Sequence, residues 1–369
     1  MKTAAIVAAL GCALVTLTAP AAAQDTREAV HLLLDYYERG DHAFTVQQLT
    51  HAQDLGGFAR DVRRHASSWT TAAGANRLRA RRLVAATLAL EIATLRLWPE
   101  DVDPLIEFGC ELMRRNGSPT DGERLWQLAA VAIHTRARDG GRVVTRGSPG
   151  IPVGMHIPPP LREVDHVAHA RDRFPNEPRF RLAEAMRVAA LGDNEPPRDA
   201  DWVDDGILSR DHPEARRRAR AREAIALFEP LVDDPAVGAE ASMRLGYLRF
   251  TLHETEAALA AYARSAVSED TFVGYLARFL TGRALDRLGR RDDANAQYRA
   301  ALTILPRAQS ASQALAANLF LHGDREEAYR LVQSAASLTP RLDDPWHQFG
   351  YGDLRLVPDR MARLREAIK

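Results

Sequence analysis

The sequence predicts an all-α chain, a solenoid of helical hairpins with a helical N-terminal portion and a C-terminal cap. Two observations carry this. Between residues 239 and 340 one pattern of small and large residues returns three times: Gly246, Ala258, Tyr262, Ser265; then Gly282, Ala294, Tyr298, Ala301; then Ala316, Ala328, Val332, Ala335. The steps within each copy are 12, 4 and 3 residues, and the copies are offset by 36 and then 34. Elsewhere apolar residues recur at three and four positions, the period of a helix face, and few runs alternate as a strand would.

Taken from the start, residues 1–23 read as a secretory signal peptide. Lys2 precedes an apolar run from Ala4 to Thr16, and Ala21 to Ala23 supply a small-residue cleavage site. The run is too short for a membrane anchor and is followed by Pro20. The mature chain is therefore expected to be exported, periplasmic or extracellular, with no transmembrane segment. Cleavage removes Cys12 and leaves Cys110 alone, so no internal disulfide can form. The formal net charge of the full sequence is zero, which provides no overall field for nucleic acid or anionic membrane.

Residues 24–137 form an N-terminal helical region. Helices are expected at about 26–38, 44–64, 76–97, 103–115 and 121–136, with stops at Pro99 and at Asn116, Gly117, Ser118 and Pro119. Their spacing is not a clean repeat, so they are either degenerate repeats or a separate domain. Residues 138–160 are rich in glycine and proline (Gly140, Gly141, Gly147, Gly150, Gly154, Pro149, Pro152, Pro158 to Pro160) and read as a loop and boundary. The array is then expected over 161–340. One of its units carries an acidic insertion at 192–213 between a first helix from Pro178 and a second helix around Ala224 and Phe228. Residues 341–369 supply an aromatic tail (Pro345, Trp346, Phe349, Tyr351, Gly352) and a last helix, expected to cap the apolar face of the final repeat.

No chemical motif rises above this background. His166 and His169 lie three apart on a helix beside Asp165, a spacing two metal ligands can share, but no third ligand is identifiable and no metal or cofactor is expected. Asp199, Asp201, Asp204, Asp205 and Gly206 lack the alternate spacing and twelfth-position glutamate of a hand-shaped calcium loop. Arg216, Arg217, Arg218, Arg220 and Arg222 contain no aromatic residue for stacking bases and read as a solvated helix face. No Gly-x-Ser-x-Gly motif occurs, and Cys110 has no histidine partner in a recognisable sequence context.

The three phased copies resemble the tetratricopeptide repeat family, and the chain as a whole resembles exported bacterial proteins built from that repeat. The copies depart at Asp270, which stands where Pro306 and Pro340 end the other units, and at Ala316, where glycine is usual. The resemblance implies a right-handed superhelix whose first helices line a concave groove for a peptide or partner helix. Carried onto this chain, that groove is Met243, Tyr247, Phe250, Phe279, Arg283, Asp286, Arg287, Gln313 and Phe320, some of which are expected to pack against neighbouring units. Met243 and Tyr247 stand where the chaperone-tail-binding branch of the family places carboxylate-clamping residues, so that ligand is not implied. The leading expectation is a non-enzymatic scaffold binding a protein or peptide in envelope assembly or complex formation. The alternative is an envelope enzyme or small-ligand protein built from the N-terminal helices and the loop at 138–160, drawing on Cys110, His134, His156 and His166.

Overall fold

The computed structural model describes residues 75–95, 99–145, 165–194, 213–336 and 344–368. The signal peptide, the helices expected at 26–38 and 44–64, most of the loop at 138–160 and most of the insertion at 192–213 lie outside the described residues. Among the described residues the chain is all helix and turn, with no strand. No helix of the described residues is long and apolar enough to cross a membrane. Contacts divide the chain into two units, one of residues up to Phe174 together with Asp353 onward, the other of Pro175–Gly352.

The first unit contains α1 (Ala75–Thr94), α2 (Pro99–Arg114), α3 (Asp121–Thr145), α4 (His166–Arg173) and the chain's last helix, Val357–Ala367. Thr120 caps the start of helix α3: its Oγ1 accepts a hydrogen bond from the Glu123 backbone N–H at 3.2 Å. It runs to Thr145, so residues 138–145 are helical where a loop was expected. At the α2–α3 crossing, Gly109 lies so close to the Trp126 ring that a Cβ there would fall 2.1 Å from Cζ2. Trp126 is wholly buried, and its indole N–H donates to the Ala86 carbonyl of α1 at 2.8 Å. Ion pairs tie in the last helix. Arg360 donates to Asp353 and to the Leu128 carbonyl, and Arg365 bonds Glu91 at 2.7 Å. That helix thus belongs to the core of the N-terminal helices, where Val357, Met361 and Leu364 are buried.

The second unit is a tetratricopeptide-like solenoid of successive helical hairpins. Its pairs are α5 (Pro178–Asn194) with α6 (Pro213–Phe228), α7 (Gly238–Thr251) with α8 (Thr255–Ser265), α9 (Thr271–Arg287) with α10 (Arg291–Ile304), and α11 (Gln309–Leu321) with α12 (Arg325–Ala336). Within a pair, the glycine of the first helix faces the tyrosine of the second. A Cβ on Gly246 would lie 2.5 Å from Tyr262 Cε1, and one on Gly282 would lie 2.4 Å from Tyr298 Cε1. Both rings are fully buried, and each such side chain contributes about 1.5–3 kcal/mol by leaving water. In the third copy the corresponding positions hold Ala316 and Val332.

The turns follow the same period. His253, Gly289 and Gly323 occupy equivalent positions with φ of 68°, 74° and 94°, a left-handed conformation that closes a helix and favours glycine. Asp270, the departure from proline, is the N-cap of α9 and accepts from the Phe272 N–H at 2.9 Å.

The glycine–tyrosine contact should be sensitive to a single methyl group. Gly282→Ala is expected to cost about 1–3 kcal/mol by overpacking against Tyr298. In a double-mutant cycle read by urea denaturation, that cost should fall when Tyr298 is Val, the pairing of the third copy.

Candidate functional site

In the second unit a segment of the chain itself lies against the first helices α7, α9 and α11. The short helix α13 (Pro345–Gln348) begins at Asp344. This buried carboxylate accepts from the Trp346 N–H at 2.9 Å and from the Ser310 N–H at 2.6 Å, and the Tyr275 hydroxyl approaches it at 3.4 Å. Trp346 then stacks among aromatic rings, with centroids 5.6 Å from Phe279, 5.8 Å from Tyr247 and 5.5 Å from Phe349. Phe349 packs edge-on to Tyr247 at 4.9 Å. Such ring pairs contribute about 0.5–1.5 kcal/mol beyond their buried area.

Two arginines complete the arrangement. Arg244 is oriented by a buried ion pair with Glu240 at 2.9 Å and donates to the Phe349 carbonyl at 3.1 Å, with its guanidinium 4.8 Å from the Phe349 ring. Arg283 lies 5.4 Å from the Trp346 ring and 5.8 Å from Phe250, within cation–π range of both. The segment is therefore held through its rings, the Phe349 carbonyl and the Asp344 carboxylate.

The nine groove residues named from the sequence fall into four groups. Met243, Phe250 and Phe279 are buried in the unit's own core. Tyr247 and Arg283 contact the aromatic segment, while Asp286 accepts hydrogen bonds from the Tyr298 hydroxyl and from Asn318 Nδ2. Arg287 lies 3.5 Å above the Phe250 ring and is exposed, as are Gln313 and Phe320. The aromatic segment reaches α11 of the final pair through Asp344 and Ser310 but leaves the α12 surface open. Tyr329 and Val332 of α12 are 68% and 51% exposed, while Trp346 packs with the core around α9. The sequence reading missed Arg244 and Glu240, whose signal was an ordinary i, i+4 pair on a repeat helix.

The first unit holds a second constellation. Asp103 of α2, His134 of α3 and His166, the first residue of α4, converge so that one ligand atom from each lies within 4.8 Å of the other two. His134 Nδ1 is 2.7 Å from Asp103 Oδ1, and His166 Nε2 is 3.7 Å from the same oxygen, beyond hydrogen-bond length. The two imidazoles meet edge to face with centroids 4.6 Å apart. Burial pushes the Asp103 carboxyl up, but the two imidazoles outweigh it and hold the group at about 2. His166 pairs with His134 and not with His169, which stands in a small pocket with Cys110, Met113, Arg114, Glu123, Gln127, Arg173 and Phe174. Of the four residues of the enzyme alternative, His134 and His166 meet, Cys110 stands with Gln127, and His156 lies outside the described residues.

No protein-family model matches the chain, and no curated protein sequence matches it. Among solved structures, a crystal structure of MamA is similar over 46% of this chain and 85% of its own, at 20% identity and a TM-score of 0.32. A second MamA structure covers 58% and 91% at 18% identity and a TM-score of 0.32. The Cut9–Hcn1 hetero-tetramer of APC/C covers 93% and 85% at 13% identity and a TM-score of 0.30. Scores of this size carry no weight for shape or partners, and the fold rests on the helix pairs themselves.

Burial pushes the Cys110 thiol up to about 11, against a smaller opposing effect of Gln127. The neutral form is favoured by folding, so this contribution to stability is full below about pH 9 and is lost as pH rises towards 11. In the native full chain Cys110 should resist a thiol-specific disulfide reagent at neutral pH and react fully in denaturant.

Proposed function

We propose that the chain is an exported, non-enzymatic helical-repeat scaffold that binds an aromatic-containing polypeptide segment on the face of its first helices, in envelope assembly or complex formation. One observation carries this reading: that face already holds the chain's own segment Asp344 to Phe349 by ring stacking, two arginines and a backbone carbonyl. What it does within the chain it can do for a partner of the same chemistry. Aromatic and arginine side chains are also the types that dominate binding energy at protein interfaces. Export is supported by Lys2, the apolar run from Ala4 to Thr16 and Ala21 to Ala23. A scaffold reading is further supported by the lack of a catalytic motif in the sequence and by the protonated, buried state of Cys110.

The test opens the face and refills it. A full chain carrying Trp346→Ala and Phe349→Ala, checked for retained helicity, should bind a labelled peptide of the sequence Asp344 to Gly352, whereas the wild type, already occupied, should not. Adding Arg283→Ala should weaken that binding about tenfold, or roughly 1.4 kcal/mol. A folded, opened chain with no affinity for the peptide in fluorescence anisotropy would remove the proposal.

A further inference from the structure

We infer that Asp103, His134 and His166 form a binding site for one divalent transition-metal ion of zinc type. The three side chains come from three helices, α2, α3 and α4, and converge in the interior of the first unit. His134 and His166 are 7% and 2% exposed, and the Asp103 side chain is 15% exposed. The donor set of two imidazole nitrogens and one carboxylate oxygen suits a borderline ion such as zinc, and leaves a fourth position for water or an exogenous group.

The second observation is independent of the cluster's composition. His166 Nε2 is buried and has no hydrogen-bond partner among the described residues. A buried imidazole nitrogen left without a partner has lost its hydration uncompensated, and this one is aimed at the Asp103 carboxylate from 3.7 Å. An ion between them satisfies it. Bonds of about 2.0–2.1 Å in a tetrahedral site place ligand atoms roughly 3.3 Å apart. The His166–Asp103 pair is thus near its final spacing, and the His134–Asp103 pair opens by roughly half an ångström. In that step the Nδ1 proton of a neutral His134 moves to Nε2, so that Nδ1 offers its lone pair to the ion.

The site is distinct from the pair the sequence suggested. His169, three residues along α4, faces the pocket around Cys110, and burial and Arg114 push its imidazole below the usual range.

The test titrates the full-length chain, stripped of metal by a chelator, with zinc in competition with a chromophoric chelator, and follows cobalt as a spectroscopic substitute. Expected are one zinc per chain, visible ligand-field bands for tetrahedral cobalt, and a zinc-dependent rise in Tm. His166→Asn and Asp103→Asn should each weaken zinc binding by at least about tenfold and abolish the Tm rise, while His169→Asn should leave both unchanged. Wild-type chain that takes up no zinc, or binding lost equally in His169→Asn, overturns the assignment. If a substituted chain fails to fold by circular dichroism, the wild-type cobalt spectrum decides alone: the absence of tetrahedral bands leaves a hydrogen-bonded Asp–His–His cluster and no metal site.

Discussion

The second unit depends on how closely the two helices of each hairpin can approach. Gly246 and Gly282 bring backbone against the faces of Tyr262 and Tyr298, with no room for a single added carbon. That spacing fixes where the first helices stand, and so which residues share the face on which Trp346 and Phe349 lie. The same device recurs in the first unit, where Gly109 meets Trp126 and the indole reaches across to Ala86. Close approach bought with glycine is thus common to both units, although only the second repeats it with a fixed period.

The period was legible because a repeated packing problem leaves repeated small and large residues at fixed intervals. Helix α9 was legible from Gly282 and its phase in the repeat, and its start is set by Asp270, which reads as a departure from proline until its side chain is seen capping the helix. The last helix was visible as a helix but not as a member of the first unit. Its attachment depends on Arg360 reaching Leu128 and on Arg365 reaching Glu91, pairings between positions far apart in the chain that no local pattern records.

The candidate sites were legible to different degrees for the same reason. Tyr247 and Arg283 stand in phase with the repeat, so the face could be named residue by residue. Its occupant could not, because Trp346 lies beyond the last copy and its choice of Phe279 over the α12 surface is a tertiary fact. The Asp103, His134 and His166 cluster draws one residue from each of three helices, about thirty positions apart in sequence. The only local signal was His166 with His169, and that spacing pointed to the wrong neighbour.

One detail separates the backbone of the repeat from its chemistry. Tyr262 and Tyr298 hold equivalent positions, yet the hydroxyl of Tyr298 donates to Asp286 while that of Tyr262 is buried without a partner among the described residues. The position equivalent to Asp286 in the preceding copy is Phe250, 36 residues earlier, and its ring underlies Arg283 and Arg287. The glycine–tyrosine packing thus recurs from one hairpin to the next while the polar pairing does not. Each hairpin is matched to its own neighbours, so the order of the units is written into their side chains and a module moved one place along would carry the wrong partner for its tyrosine.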